Sequence, residues 1–173
     1  MNMIISAVSQ GLLWSILALG LFVSFRILDL ADMTTEGAFP LGAAVAVQAI
    51  TLGANPYIAI IFAIIAGSSA GLITGFLITK LQIPSLLAGI LTMTGLYSIN
   101  LRVMGRANIS LLGKNTIFTV FENMNLPRHF DTITLGLLVV VMIIGLYVIF
   151  FKTEFGQAVI ATGDNEAMAR SLG

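Results

Sequence analysis

The stretch GAFPLGAAVAVQAITLGANPYIAIIFAIIAGSSAGLITGFLIT, Gly37 to Thr79, contains no charged residue. A membrane-crossing helix needs roughly 20 apolar residues, so this run is too long for one. It divides at LGANP, Leu52–Pro56, where Gly, Asn and Pro together mark a tight turn. Two spans result, 37–52 and 57–79, joined as a helical hairpin. Working outward, 3–25 is another uncharged run. It has no basic residue ahead of it and is too long for a signal peptide. Trp14 lies in its middle and reads as a buried packing residue. On the other side, KLQIP (Lys80–Pro84) makes a second short turn, with Pro84 suited to the first turn of a helix. The next span is 84–101, and the last is 133–151, closed by Lys152. The expected fold is all-α: a polytopic integral membrane helical bundle of about five transmembrane helices, forming one domain over 1–173.

Composition agrees. The chain is 58% hydrophobic and 9% charged, with a mean hydropathy of +1.03. A soluble domain carries about 25% charged residues. Net charge is zero, which argues against nucleic acid, since that requires a basic face. Without cysteine there are no disulfides and no thiolate metal sites. His129, the one histidine, lies in a polar stretch between Arg128 and Phe130 and reads as a loop residue. No constellation supports catalysis, and neither a metal nor a cofactor is expected.

Gly67, Gly71 and Gly75 recur every four residues and share a helix face. Small residues at this spacing let two backbones approach closely in lipid, so helix packing is the preferred reading. The segment Arg102–Asp131 mixes apolar residues with charges. It reads either as an interfacial amphipathic segment or as a loop outside the membrane. The segment DLADMTTEGAFPLGAA carries Asp29, Asp32 and Glu36 ahead of Pro40. Thr34 or Thr35 is placed to cap a helix, with Glu36 in its first turn. One reading is an ordinary loop and helix start. The sharper one is a discontinuous helix, with Leu28–Ala31 re-entering the membrane and Gly37 to Pro40 unwound beside a transport path.

Counted crossing by crossing, Arg26, Lys80, Lys152 and Arg170 fall on one side, and Arg102, Arg106, Lys114 and Arg128 on the other. That balance leaves orientation undecided by the positive-inside rule. Arg26, directly after the first span, favours an outside N-terminus.

The chain ends on FGQAVIATGDNEAMARSLG, Phe155 to Gly173, which is unfit for lipid. Gly163 breaks the preceding segment. Asp164 or Asn165 caps a new helix, Glu166 lies in its first turn and Arg170 in its last, and Gly173 suits a C-cap. The helix, Asn165–Leu172, would be about 12 Å long. Alone it is marginal and needs something to dock into.

GQAVIATGDNEAMARSLG resembles the cytoplasmic coupling segment of permease subunits in ATP-binding-cassette importers. It is most similar to the branched-chain amino-acid and simple-sugar permease family. The matching positions are Gly156, Ala158, Ala161, Gly163, Asn165, Ala167, Ala169 and Gly173. The Glu-Ala-Ala opening of many importers is absent, because Met168 follows Glu166-Ala167. Upstream, RILDLADMTTEGAFPLGAAVA resembles the second-span region of the same family and NISLLGKNTIF its outward loop, so the likeness covers most of the chain. It implies a permease subunit of an importer for amino acids in the plasma membrane. Its coupling segment, 152–173, would be cytoplasmic, with Asp164, Glu166, Met168 and Arg170 among the docking residues. It also implies three partners: an ATP-binding ATPase subunit, a second permease subunit and an extracytoplasmic substrate-binding protein. The chain itself lacks a phosphate-binding Gly-x-x-x-x-Gly-Lys-Ser/Thr loop. Permeases of this family continue past the coupling helix, so the resemblance implies the N-terminal part of such a protein, as a fragment or from a truncated gene. A secondary transporter or channel, or a purely structural membrane protein, are the rival readings.

Overall fold

The computed structural model describes residues 2–106, 108–114, 116 and 130–171, and among them every regular element is a helix. The helices are α1 (Asn2–Phe22), α2 (Thr34–Thr51), α3 (Pro56–Thr79), α4 (Ser85–Met104), α5 (Phe130–Phe151), α6 (Glu154–Asp164) and α7 (Glu166–Ser171), and α1 runs on into a π-helical turn, Val23–Ile27. The chain divides into two compact units, one of Met1–Leu30 with Met124–Gly173 and one of Ala31–Asn123.

The turns form where the sequence marks them. Asn55 stands before α3 in an extended conformation, its side chain accepting from the Tyr57 amide at 3.2 Å, with Pro56 opening the helix. Gly53 takes φ +91°, a conformation that a side chain resists. At the other end of α4, Gly105 caps with φ +66°. Arg102 therefore belongs to the last turn of α4 rather than to a loop. Of the ambiguous segment that follows, Ile117, Phe118, Val120, Phe121, Glu122, Arg128 and His129 lie outside the described residues.

In the second unit α2 packs against both α3 and α4, which also meet each other. Its interior is made of small residues: Ala44, Ala59, Ala70, Ala88, Gly37 and Gly89, with Leu41 and Leu96. Large apolar side chains point outward, among them Ile64, Ile65, Leu72 and Phe76 on α3. A water-soluble bundle has the opposite arrangement. In lipid the exterior is as apolar as the core, and small residues in the interior bring backbones together.

Four helical stretches among the described residues are long and apolar enough to cross a membrane: Met3–Ile27, Pro56–Thr79, Ser85–Met104 and Ile133–Phe151. The fifth expected span, α2, is not one of them. It holds Glu36, Gln48 and three threonines among its 18 residues.

Two further expectations are corrected. Trp14 is 56% exposed rather than buried. Among the described residues the glycine stripe of α3 is left open: a Cβ on Gly67 would only graze the Ala38 carbonyl oxygen at 4.0 Å, and on Gly71 or Gly75 it would meet nothing. The packed face lies one residue round the helix, at Ala59, Ala70 and Thr74. Finally, α2 is unbroken from Thr34 through Gly37 and Pro40. The irregular backbone lies before it, over Leu28–Met33. Pro40 is on the exposed side of α2, where its missing amide leaves the Glu36 carbonyl without the usual helical donor and its ring displaces no neighbouring helix.

Candidate functional site

The polar C-terminal stretch is tied to the end of α5 by a turn that satisfies its own backbone. The last carbonyls of a helix lack intrahelical donors. Here the Lys152 amide donates to Ile149 at 3.2 Å. The Thr153 hydroxyl donates to the Phe150 carbonyl at 2.6 Å, and the Gln157 side-chain amide to the Phe151 carbonyl at 2.6 Å. Thr153 also caps α6, its Oγ1 accepting from the Gly156 amide at 3.2 Å. Glu154 occupies the first turn of α6, where the helix dipole favours an anion. Gly156 is buried at this corner, and a Cβ there would overlap the Phe150 carbonyl oxygen. Gly156 is therefore required by the turn.

Gly163 departs from its expected role. It does not break a helix but lies inside α6, where a Cβ would overlap the Ile27 carbonyl oxygen and come 3.1 Å from the Leu28 Cα. Glycine here lets α6 press against the π-turn that ends α1. In that turn the Leu28 amide donates to Val23 at 3.0 Å and the Leu30 amide to Ser24 at 3.1 Å. No local signal in the sequence announces this contact, because it joins positions far apart in the chain.

The expected cap is present. Asn165 is extended between α6 and α7, and its Oδ1 accepts from the Met168 amide at 3.0 Å. The Asn165 amide closes α6 on the Ala161 carbonyl at 3.0 Å. Asp164 ends α6 and is exposed, as is Ala167, while Ala169 is half-buried. Phe155 is 81% exposed and Met168 60% exposed, two large apolar side chains turned outward on this stretch. The side chains of Glu166 and Arg170, and the whole of Gly173, lie outside the described residues.

The start of α2 holds a second cluster. Thr34 was expected to cap, but the Asp32 carboxylate does so. Its Oδ1 accepts from the Thr34 amide at 2.8 Å and from the Thr34 hydroxyl at 2.5 Å. Thr34 Oγ1 lies 2.7 Å from Thr74 Oγ1 on α3, Thr74 donates to Thr92 Oγ1 on α4 at 2.9 Å, and Thr92 donates to the Ala88 carbonyl at 3.0 Å. All three threonines are buried. Glu36 is exposed, and the buried Thr35 hydroxyl has no hydrogen-bond partner. Gly37 is buried against α4, where a Cβ would come 2.9 Å from the Met93 Cα. Sequence reasoning missed Asp32, Thr74, Thr92 and Gly89. The available signal was a threonine within each of the apolar runs of α3 and α4. At the opposite end of the same unit, a pocket of about 530 Å³ is lined by Val45, Gln48, Leu52, Phe62 and Val103. Among the described residues no group of three or more His, Cys, Asp or Glu could hold a metal ion.

An apolar exterior over a small-residue interior, with several helices of membrane-crossing length, defines a polytopic helical membrane protein. The chain belongs to the family described as branched-chain amino acid transport system / permease component, which matches residues 3–173. It is 40% identical over 173 residues to the tyrosine transport system permease protein of Clostridioides difficile, covering all of this chain and 56% of that protein. It is 38% identical over its whole length to an uncharacterised protein of Rickettsia prowazekii, covering 59% of it. Over 127 residues it is 32% identical to the autoinducer 2 import system permease protein LsrC of Yersinia enterocolitica, covering 73% of this chain and 34% of that protein. The chain thus spans little more than half the length of the first two relatives. The relatives from Clostridioides difficile and Yersinia enterocolitica are both named as transport permeases. No solved structure gives a significant match.

Proposed function

We propose that this chain forms the N-terminal part of the permease subunit of an ATP-binding-cassette importer for amino acids. In this reading it lines part of the substrate path, and α6 and α7 dock on a separate ATPase subunit. Family membership over residues 3–173 carries the reading. The relative named for tyrosine transport supports amino acids as the substrate class. The docking segment is Gly156, Ala161 and Gly163 through Arg170, with Gly173. It is short, capped by Asn165, and exposes Phe155 and Met168, which suits burial in a cleft of a partner. A second permease subunit and an extracytoplasmic binding protein complete the assembly. The chain lies in the plasma membrane with α6 and α7 on the cytoplasmic side. The Gly67, Gly71 and Gly75 face remains open for a further helix, and Thr34 through Pro40 stand beside the path.

The test is co-purification. The full-length chain, expressed with a neighbouring ATPase that carries a phosphate-binding loop, retains that ATPase through detergent extraction. Ala169→Trp and Gly173→Glu abolish retention while insertion into the membrane is normal. Retention and transport at wild-type levels in both variants would remove the docking assignment.

A further inference from the structure

The segment Leu28–Met33 is pinned at both ends by contacts of different kinds. Immediately before it, the Ile27 carbonyl presses on α6 at Gly163, with no room for a Cβ between them. At its far end, Asp32 and Met33 lie on α4 at Gly89, where a Cβ would come 2.7 Å from the Met33 amide nitrogen and 2.9 Å from Asp32 Oδ1. Asp32 also holds Thr34, whose hydroxyl leads to Thr74 and Thr92. Between the two pins the backbone has no regular helix, and Asp29 takes φ +51°.

The second pin is not a single contact. It joins the start of α2 to α3 and α4 through hydroxyls shielded from water, with Thr34 and Thr74 only 2% and 1% exposed. Three hydroxyl protons serve the four contacts Asp32–Thr34, Thr34–Thr74, Thr74–Thr92 and Thr92–Ala88, and parting the row leaves polar atoms in an apolar setting with no water to replace their partners. Gly37 and Gly89 bring α2 and its leading segment into direct backbone contact with α4, which leaves no slack. A displacement of Asp32 is therefore a displacement of three helices.

We propose that Leu28–Met33 is a transmission strap. Movement of α6 shifts Ile27, and the strap carries that shift through Asp32 and Thr34 to α2, α3 and α4 as one body. Thr34, Thr74 and Thr92 are positioning residues, since their burial keeps them from touching a substrate, and the half-buried Asp32 acts through Thr34. The inference rests on the coupling role proposed for α6 and α7.

The chain contains no cysteine, so single reporters are introduced directly. Thr162→Cys on α6 and Leu72→Cys on α3 are exposed sites for a spin label. The full-length chain is assembled with its ATPase in lipid, and each label is read before and after ATP. ATP shifts both labels in the otherwise wild-type protein. With Thr74→Val, which keeps the shape and deletes the hydroxyl, the α6 label still responds, while the response at Leu72 falls by roughly fivefold or more. Thr74→Ser restores it. Gly163→Ala produces the same loss at Leu72, and the double variant is no worse than either single one, as two breaks in one series connection require. A merely structural role would lower the amount assembled and leave the Leu72 response of the assembled protein intact; that result overturns the strap. If the ATPase fails to bind the wild-type chain, the coupling role falls first and the strap with it, an outcome read before any variant is made.

Discussion

Gly89 on α4 lies so close to the Asp32–Met33 backbone that even a methyl group would reach within 2.7 Å of the Met33 amide nitrogen. The nearest atom is backbone, which cannot swing aside as the neighbouring Asp32 side chain can. Gly89→Ala is expected to cost about 1–3 kcal/mol, the range for overpacking a filled site. On the same helix, Gly95 has nothing within 4 Å, so Gly95→Ala removes a flexible residue without a clash. Thermal unfolding in detergent should show a lower midpoint for Gly89→Ala and an unchanged or raised one for Gly95→Ala. Equal midpoints would mean that the close approach does not exist.

Two threonines one helix apart should respond in opposite ways to the same substitution. Thr74 has partners on both sides, while the Thr35 hydroxyl is buried with none. An unmade buried hydrogen bond costs about 1–3 kcal/mol, and valine removes the hydroxyl at nearly constant volume. Thr35→Val should therefore be neutral or stabilising, and Thr74→Val destabilising, when both are followed by denaturation in the same detergent. A loss of stability at Thr35 equal to that at Thr74 would show an unrecognised partner for Thr35.

Asn165 supports α7 through one side-chain bond to the Met168 amide. Replacing such a cap by alanine costs about 1 kcal/mol. In a helix of six residues that loss is a large share of its stability. Amide hydrogen exchange at Met168 should accelerate roughly fivefold in Asn165→Ala, while exchange within α5 is unaffected. Asn165→Asp, which keeps the acceptor, should exchange as the parent does.

The corner between α5 and α6 makes a sharper demand. A Cβ on Gly156 would overlap the Phe150 carbonyl oxygen and sit 2.5 Å from the Phe151 Cα, so backbone itself must move. Gly156→Ala should displace α6 and weaken ATPase retention, whereas Gly71→Ala, in open space on α3, should not. Retention measured by co-purification from the same membranes separates the two.

Helix positions and turns were legible because each rests on a local pattern: an uncharged run of sufficient length, then Gly, Asn or Pro. Asn55, Gly105 and Asn165 act as their residue types suggest. What the sequence hid is relational. The face of α3 that packs is the alanine face, although the glycine face has the more regular spacing, because the partner surface decides which stripe is used. Gly163 read as a helix breaker because glycine often is one; only the approach of Ile27 explains its place inside α6. Thr34 has a capping residue's chemistry, but Asp32 two positions earlier satisfies the amide and leaves Thr34 to reach α3. Pro40 suggested a break, but it faces away from α3 and α4, so the helix continues and the irregular stretch falls before Thr34.

The interior of the α2–α3–α4 block has little left to remove. Its buried positions are alanine, glycine and threonine, with Leu41 and Leu96 the larger exceptions. Sequence drift in this block is therefore constrained in one direction only. Truncating its outward isoleucines, leucines and phenylalanines trades one lipid-facing group for another, while a single added methylene inside separates helices that touch through backbone. A map of tolerated substitutions would be the photographic negative of one from a water-soluble bundle: permissive at the bulky positions and closed at the smallest.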